Sequence, residues 1–304
     1  MWFKNLLIYR FTSPFTLDLG TLEAQLEGQA FVPCGKRDTS KYGWVSPMGE
    51  QSDQFAHTAT GKTLLCARRE EKIIPASVIR ELVEKKAAEI EAKENRQVFR
   101  KEKDALKEEV LFDCLPQAFS RSSKTYAYID PKAGWFIVDA ASTKKAEDLC
   151  SLLRDSLGSL PVIPAQTSES PSIIMTSWLR GEDAPAKLDI LDECEMREPG
   201  EDGGIIRCKR QDLFGDEVSS HLDNGKLVHK LSVEWDNQLK LLLNDDLSIK
   251  RLKFCEALLT EAEDAGSEDP AAKLDADFAL MCATLTDFLP QLMNYFGGNK
   301  AEPI

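Results

Sequence analysis

Basic side chains recur at alternate positions in three stretches of the last third of the chain: GGIIRCKRQ (203–211), KLVHKLSVEWD (226–236) and SIKRLKF (248–254). Extended backbone sends successive side chains to opposite faces. The first stretch then sets Ile206 and Cys208 against Arg207, Lys209 and Gln211. In the second, Leu231, Val233 and Trp235 oppose Lys230; in the third, Leu252 and Phe254 oppose Arg251 and Lys253. Strands of this kind in one sheet would pack one face and show a basic one. Lys and Arg at that pitch suit a sugar–phosphate backbone and carry no base code. An ordinary solvated sheet face has the same pattern, so spacing alone leaves both readings open. A further stretch, CLPQAFSRSSKTYAYID (114–130), sets Phe119 among Ser and Arg between a charged helix and a strand-like alternation. Phe119 is either a core ring or a contact with a partner.

Other constellations are weaker. ATGKT (59–63) looks like the end of a phosphate-binding loop, but that loop needs a Gly where Ala56 stands and must open a helix. TLLCAR reads as a strand, so a polar hairpin turn is expected. His57, His221 and His229 show no HxH or HExxH spacing. No GxSxG elbow occurs. The eight cysteines lack CxxC spacing, several lie in apolar surroundings, and they read as reduced, buried thiols of a cytoplasmic protein. No catalytic constellation, metal site or cofactor is called for.

The net charge of −13 argues against a polyanionic partner, but its distribution weakens that objection. Residues 166–204 carry 3 Lys+Arg against 10 Asp+Glu, and residues 254–304 carry 2 against 10. The remainder is near neutral. Screening in cell-like salt acts over about 8 Å, so local sign outweighs the total. No run approaches the roughly 18 apolar residues of a membrane helix. Lys4 and Arg10 interrupt the apolar start, so neither a signal peptide nor a membrane partner is expected.

The elements that must position these residues are partly readable. KNLLIYRF predicts a strand and LDLGTLEAQLEGQA a helix. HTATGKTLLCARREEK predicts a hairpin turning near Gly61. Residues 77–112 are dense in Glu and Lys and predict two helices broken near Asn95–Gln97, with Ser77 as N-cap. KTYAYID and GWFIVDAA pair across Pro131–Gly134; a helix capped by Ser142 and stopped by Gly158 follows, then a strand at LPVIPA. Residues 165–204 read as loop-rich and acidic. A short helix through Leu222 and an antiparallel meander from Lys226 to Phe254 come next. Two helical segments close the chain, with a possible kink at Pro290, and GGNKAEPI reads as a fraying tail. The fold class is α+β, a multi-domain chain with antiparallel sheets and a protruding helical arm. The expected units are 1–75 with 118–165 (central), 76–117 (arm) and 166–304 (C-terminal).

Over nearly its whole length the chain resembles the recombination-associated protein RdgC family. The carrying stretches are WFKNLLIYR (2–10), FVPCG (31–35), YGWVSPMG (42–49), CARREEKIIP (66–75), EKDALKEEVL (102–111) and LPQAFSR (115–121). KKAEDLCSLLRDSLGSLPVIP (144–164), DGGIIRCKRQDL (202–213), RLKFC (251–255) and DADF (275–278) complete them. The resemblance implies a non-enzymatic, nucleoid-associated cytoplasmic protein that binds DNA without sequence preference and restrains RecA-promoted strand exchange. It implies a ring-shaped homodimer with a basic inner surface around double-stranded DNA; single-stranded DNA stays open as a second ligand. Such a ring would keep acid outside and base inside. Phe119 resembles a position at the subunit contact, with Arg121 beside it facing DNA. Arg210 and Gln211 resemble a DNA-contact position, although strict alternation would set these neighbours on opposite faces. Two rivals stand beside this: an acidic interaction protein that binds a recombination or replication protein directly, and a metal-dependent hydrolase or nuclease.

Overall fold

The computed structural model describes residues 1–182, 184–200, 202–265 and 269–300. The first half contains β1 (Leu7–Phe11), α1 (Leu19–Glu27), β2 (Ser40–Val45), β3 (Ala56–Ala59), β4 (Lys62–Ile73), α2 (Ala76–Glu94), α3 (Arg100–Cys114), β5 (Phe119–Asp130), β6 (Trp135–Val138), α4 (Thr143–Leu157) and β7 (Val162–Pro164). The second contains α5 (Pro171–Leu179), β8 (Leu188–Arg197), β9 (Ile205–Lys209), α6 (Asp216–Asp223), β10 (Leu227–Trp235), β11 (Leu239–Asn244), β12 (Ile249–Phe254), α7 (Glu256–Ala265) and α8 (Pro270–Tyr295). The protein is α+β, built on two antiparallel sheets.

The seven-stranded sheet runs β2-β4-β5-β6-β1-β7, with β3 also paired to β4. Thr60 and Gly61 both take left-handed φ in the β3–β4 turn, so ATGKT is the expected hairpin and not a phosphate loop. β4 and β5 stay in register from Thr63↔Ile129 to Ile73↔Phe119, and α2 and α3 are inserted at the far end of this long hairpin. The helix pair holds a small apolar cluster of its own, including Val83, Ala87, Leu106 and Val110. Asn95 ends α2 in the left-handed conformation, as its sequence position suggested. Ser77 is not the N-cap: Pro75 holds that position, because its fixed φ leads straight into the helix and Ser77 falls inside it.

The five-stranded sheet runs β12-β11-β10-β8-β9. Here the expectation of a loop-rich segment at 165–204 fails, since that stretch supplies α5 and the inner strand β8. In LDILDECEMR the acid density hides an alternation in which Cys194 and Met196 point into the core. The tail also departs from expectation. Ser168 N–H donates to the Gly298 carbonyl at 3.0 Å and Lys300 N–H to that of Gln166 at 3.0 Å, so residues 298–300 are tied down. The end of the expected tail, 301–304, lies outside the described residues.

α8 runs unbroken through Pro290 and lies between the sheets. Its Phe278 meets Tyr128 of the larger sheet edge-on at 6.0 Å, and its Phe288 meets Trp235 of the smaller at 5.2 Å. The larger sheet's other face packs on α1 and α4 through Leu22, Leu26, Leu149 and Leu153. The sheets are also stitched through backbone. Leu6 and Ile249 exchange two N–H···O bonds of 2.9 Å, and Leu252 N–H donates to the Lys4 carbonyl at 2.8 Å. Leu6 is fully buried at this joint. Leu6→Ala is expected to cost about 2–5 kcal/mol through the cavity it leaves. Urea denaturation followed by far-UV circular dichroism measures this, and an unchanged midpoint would count against the joint's importance.

A candidate nucleic-acid interface

One face of the five-stranded sheet buries Cys194, Met196, Leu231, Val233, Trp235 and Leu252 in the core shared with α5 and α8. The opposite face carries Arg207 and Lys209 on β9, Lys230 on β10, and Arg251 and Lys253 on β12. The period-2 reading therefore brings these five onto one surface. All are exposed except Lys230, which is half-buried.

Gln211 does not join that face as alternation predicted. β9 ends at Lys209 because Arg210 turns to a left-handed φ of 55°. Gln211 then lies beyond the strand, its N–H donating to the Asp192 carbonyl at 3.3 Å and its side-chain amide to Glu217 on α6. Arg210 and Gln211 are both exposed at the sheet's end, where they line a shallow groove with Ile190, Phe214 and Lys240. The conflict over neighbours on opposite faces disappears, since neither belongs to the strand.

Phe119 and Arg121 lie on the other sheet, two residues apart on the same side of β5. A core role for Phe119 is excluded: it is 85% exposed. Its register partner Ile73 is 47% exposed, so an apolar pair ends the long hairpin. Arg121 pairs in register with Glu71.

The carboxylates on the basic face were not foreseen. Glu195 is only 4% exposed and accepts from Arg207 Nε at 2.7 Å, Arg197 Nη2 at 2.6 Å and Lys230 Nζ at 3.0 Å. Burial alone would raise its pKa; the bonds from Arg207, Arg197 and Lys230 outweigh burial and hold it at about 2. Glu193 pairs with Arg251 at 2.9 Å and with Lys209 at 3.9 Å, and Glu234 with Lys240 at 3.2 Å. Arg251 reaches Glu193 over two intervening strands from a bulge. Lys253 faces Lys240 and Lys250 faces Leu242, leaving Arg251 and Leu252 opposite Leu241 alone, with Arg251 at φ 52°. Acid and base are thus interleaved on this face, because β8 threads Glu193 and Glu195 between the cations. The strand-period spacing of those two glutamates was the available signal.

Elsewhere, His57 pairs with Asp275 at 2.8 Å and His229 with Asp245 at 2.6 Å. Among the described residues, no group of three His, Cys, Asp or Glu side chains is placed to hold a metal ion, and no helix is long and apolar enough to cross a membrane.

Comparison with known proteins adds a family. The model described as "Putative exonuclease, RdgC" matches residues 1–299. The chain belongs to the RdgC family. Relatives named recombination-associated protein RdgC include those of Aeromonas hydrophila (52% identical, covering 99% of each chain) and Tolumonas auensis (49%, covering 99% of this chain and all of that one). The protein of that name from Yersinia pestis is 45% identical over 98% of each chain. The family description and the relatives' names differ in that only the former mentions an exonuclease.

Glu195 also makes the face acid-sensitive. Its folded pKa lies below its unfolded value, so its stabilisation is present above about pH 4.5 and is lost as pH falls toward about 2. Glu195→Gln is expected to lower stability at pH 7 and to flatten the loss between those limits. Urea midpoints from pH 7 to pH 2 check this; parallel curves for both proteins would refute it.

Proposed function

We propose that this RdgC-family protein binds DNA without sequence preference as a ring-shaped homodimer around duplex DNA, limiting RecA-promoted strand exchange in recombination and replication. The observation that carries the reading is the open sheet face. There Arg197, Arg207, Lys209, Lys230, Lys240, Arg251 and Lys253 outnumber Asp189, Glu193, Glu195 and Glu234. Cations at strand spacing replace counterions along phosphates and confer affinity without base choice. Arg210 and Gln211 extend the surface past the strand end, and Arg121 would contribute from the other sheet. Single-stranded DNA would meet the same cations.

The exposed pair Phe119–Ile73 supports a subunit contact at the end of the β4–β5 hairpin, since a solvated Phe of this exposure gains by burial. In this reading residues 1–75 with 118–165 form the centre, 76–117 an arm and 166–304 a base. The protein would act in the cytoplasm at the nucleoid, without cofactor and without cutting its ligand. Its action would be occlusion, by denying a recombinase access to the encircled duplex. The alternative is an acidic interaction protein that binds a recombination or replication protein directly; of the acid of residues 166–204, Glu193 and Glu195 are paired with cations.

Fluorescence anisotropy with a random-sequence duplex across a salt series is the primary test. Wild type is expected to bind with an affinity that falls steeply with salt. Arg210→Ala/Gln211→Ala is expected to weaken binding and lower the salt slope by about 1. No binding at low salt would remove the DNA reading in favour of a direct protein partner. Phe119→Ala is expected to raise the monomer fraction in sedimentation velocity; an unchanged dimer would free Phe119 of that role. End-labelled duplex incubated with Mg²⁺ and the protein is expected to stay intact, and released nucleotides would instead support the exonuclease of the family description.

A further inference from the structure

Two of the eight cysteines stand directly opposite each other. Cys194 on β8 and Cys208 on β9 are register partners, and residues so placed in an antiparallel pair share a face. Their Cα atoms are then separated by about 4.5–5.5 Å. The span a disulfide tolerates, about 4.4–6.8 Å, contains that whole range. Both side chains point into the core, at 1% and 9% exposure. Cys66, also buried in a strand, has Val45 and Tyr126 as its register partners and no such neighbour.

We propose that Cys194 and Cys208 form a reversible dithiol–disulfide site that oxidants of the hydroperoxide class convert into a cross-strand bond. Cys208 sulfur attacks a peroxide oxygen, the O–O bond breaks, and a sulfenic acid and one water form. Cys194 sulfur then displaces the sulfenic oxygen; the S–O bond breaks, the S–S bond forms and a second water leaves. Two thiols and one hydrogen peroxide give one disulfide and two waters, so atoms and electrons balance.

The position of the pair sets when this happens. Burial, with the neighbouring Cys208, pushes the Cys194 thiol up to about 12, so the closed sheet reacts slowly. β9 is an edge strand with β8 as its one neighbour, and edges open before inner strands. Oxidation therefore follows opening of β9. The new bond would then return that strand to its register between the flanking pairs Glu195↔Arg207 and Glu193↔Lys209. Reopening of β9 would expose the bond to thiols, whose attack on one sulfur restores the two cysteines, as a reversible site requires.

The full-length folded protein is exposed to hydrogen peroxide, alkylated, digested without reductant and mapped by mass spectrometry. The expected product is a peptide linking Cys194 to Cys208, lighter by about 2 Da than the two thiol peptides and separated again by dithiothreitol. Hydrogen exchange of the β9 amides should slow in the oxidised protein, and Cys208→Ala should abolish both effects. The half-buried Cys34, Cys114 and Cys255 report delivery of oxidant in the same sample. If these are oxidised while Cys194 and Cys208 are recovered as free thiols, or as separate sulfinic acids, the proposal is overturned. The wild-type map decides this even if the alanine variant does not fold.

Discussion

The paired backbone bonds between Leu6 and Ile249 fix how the two sheets stand relative to each other. Residues 4–6 cover the edge of β12, which would otherwise offer a row of unpaired donors and acceptors. The same segment runs on into β1, in the interior of the larger sheet. It is held from both sides. The Met1 ammonium and the Trp2 indole both bond Asp277 on α8, while the amides of Lys4 and Asn5 donate to Asp139 just past β6. Burial raises the Asp139 pKa, and these amide bonds oppose that effect. Six residues of irregular chain thus connect both sheets to the helix between them, and the orientation of the basic face follows.

The chemistry of that face is a compromise between charge density and folding. Side by side on a sheet, like charges repel and destabilise the pairing that presents them. Glu195 and Glu193 relieve this from β8, between β10 and the edge strand β9. A nearly buried carboxylate is tolerable only when cations and hydrogen bonds compensate its lost hydration, and Glu195 has three such partners.

How much was legible follows the same physics. Strands with one apolar face announced themselves by period 2, so β10 to β12 and the inward–outward assignment of Lys230, Arg251 and Lys253 could be read. β8 was hidden because its outward positions are acidic, and acid density imitates a loop. α5 was hidden because PSIIMTSWL is buried around most of its surface and shows no polar stripe. The pairing of Glu195 with Arg207 and Lys230 joins residues 12 and 35 apart in sequence, a distance no local pattern spans. The left-handed turn at Arg210 is likewise invisible, because an arginine gives no local warning of positive φ. Family resemblance singled out Phe119, but only the three-dimensional structure revealed its exposure.

The bulge at Arg251 has a thermodynamic consequence. By carrying that guanidinium over two strands to Glu193, it supplies the face with a tethered counterion. The cations condensed on a polyanion would be released whichever partner the guanidinium leaves, so the salt dependence of binding would persist. The displaced glutamate stays within reach and competes to re-form its pair. On the DNA-binding reading proposed above, each contact at such a site would exchange one anion for another at a single cation, with less gain than at an unpaired cation and an easier reversal. A surface built this way would favour many brief contacts over a few lasting ones, and would let a polymer shift along it without complete release.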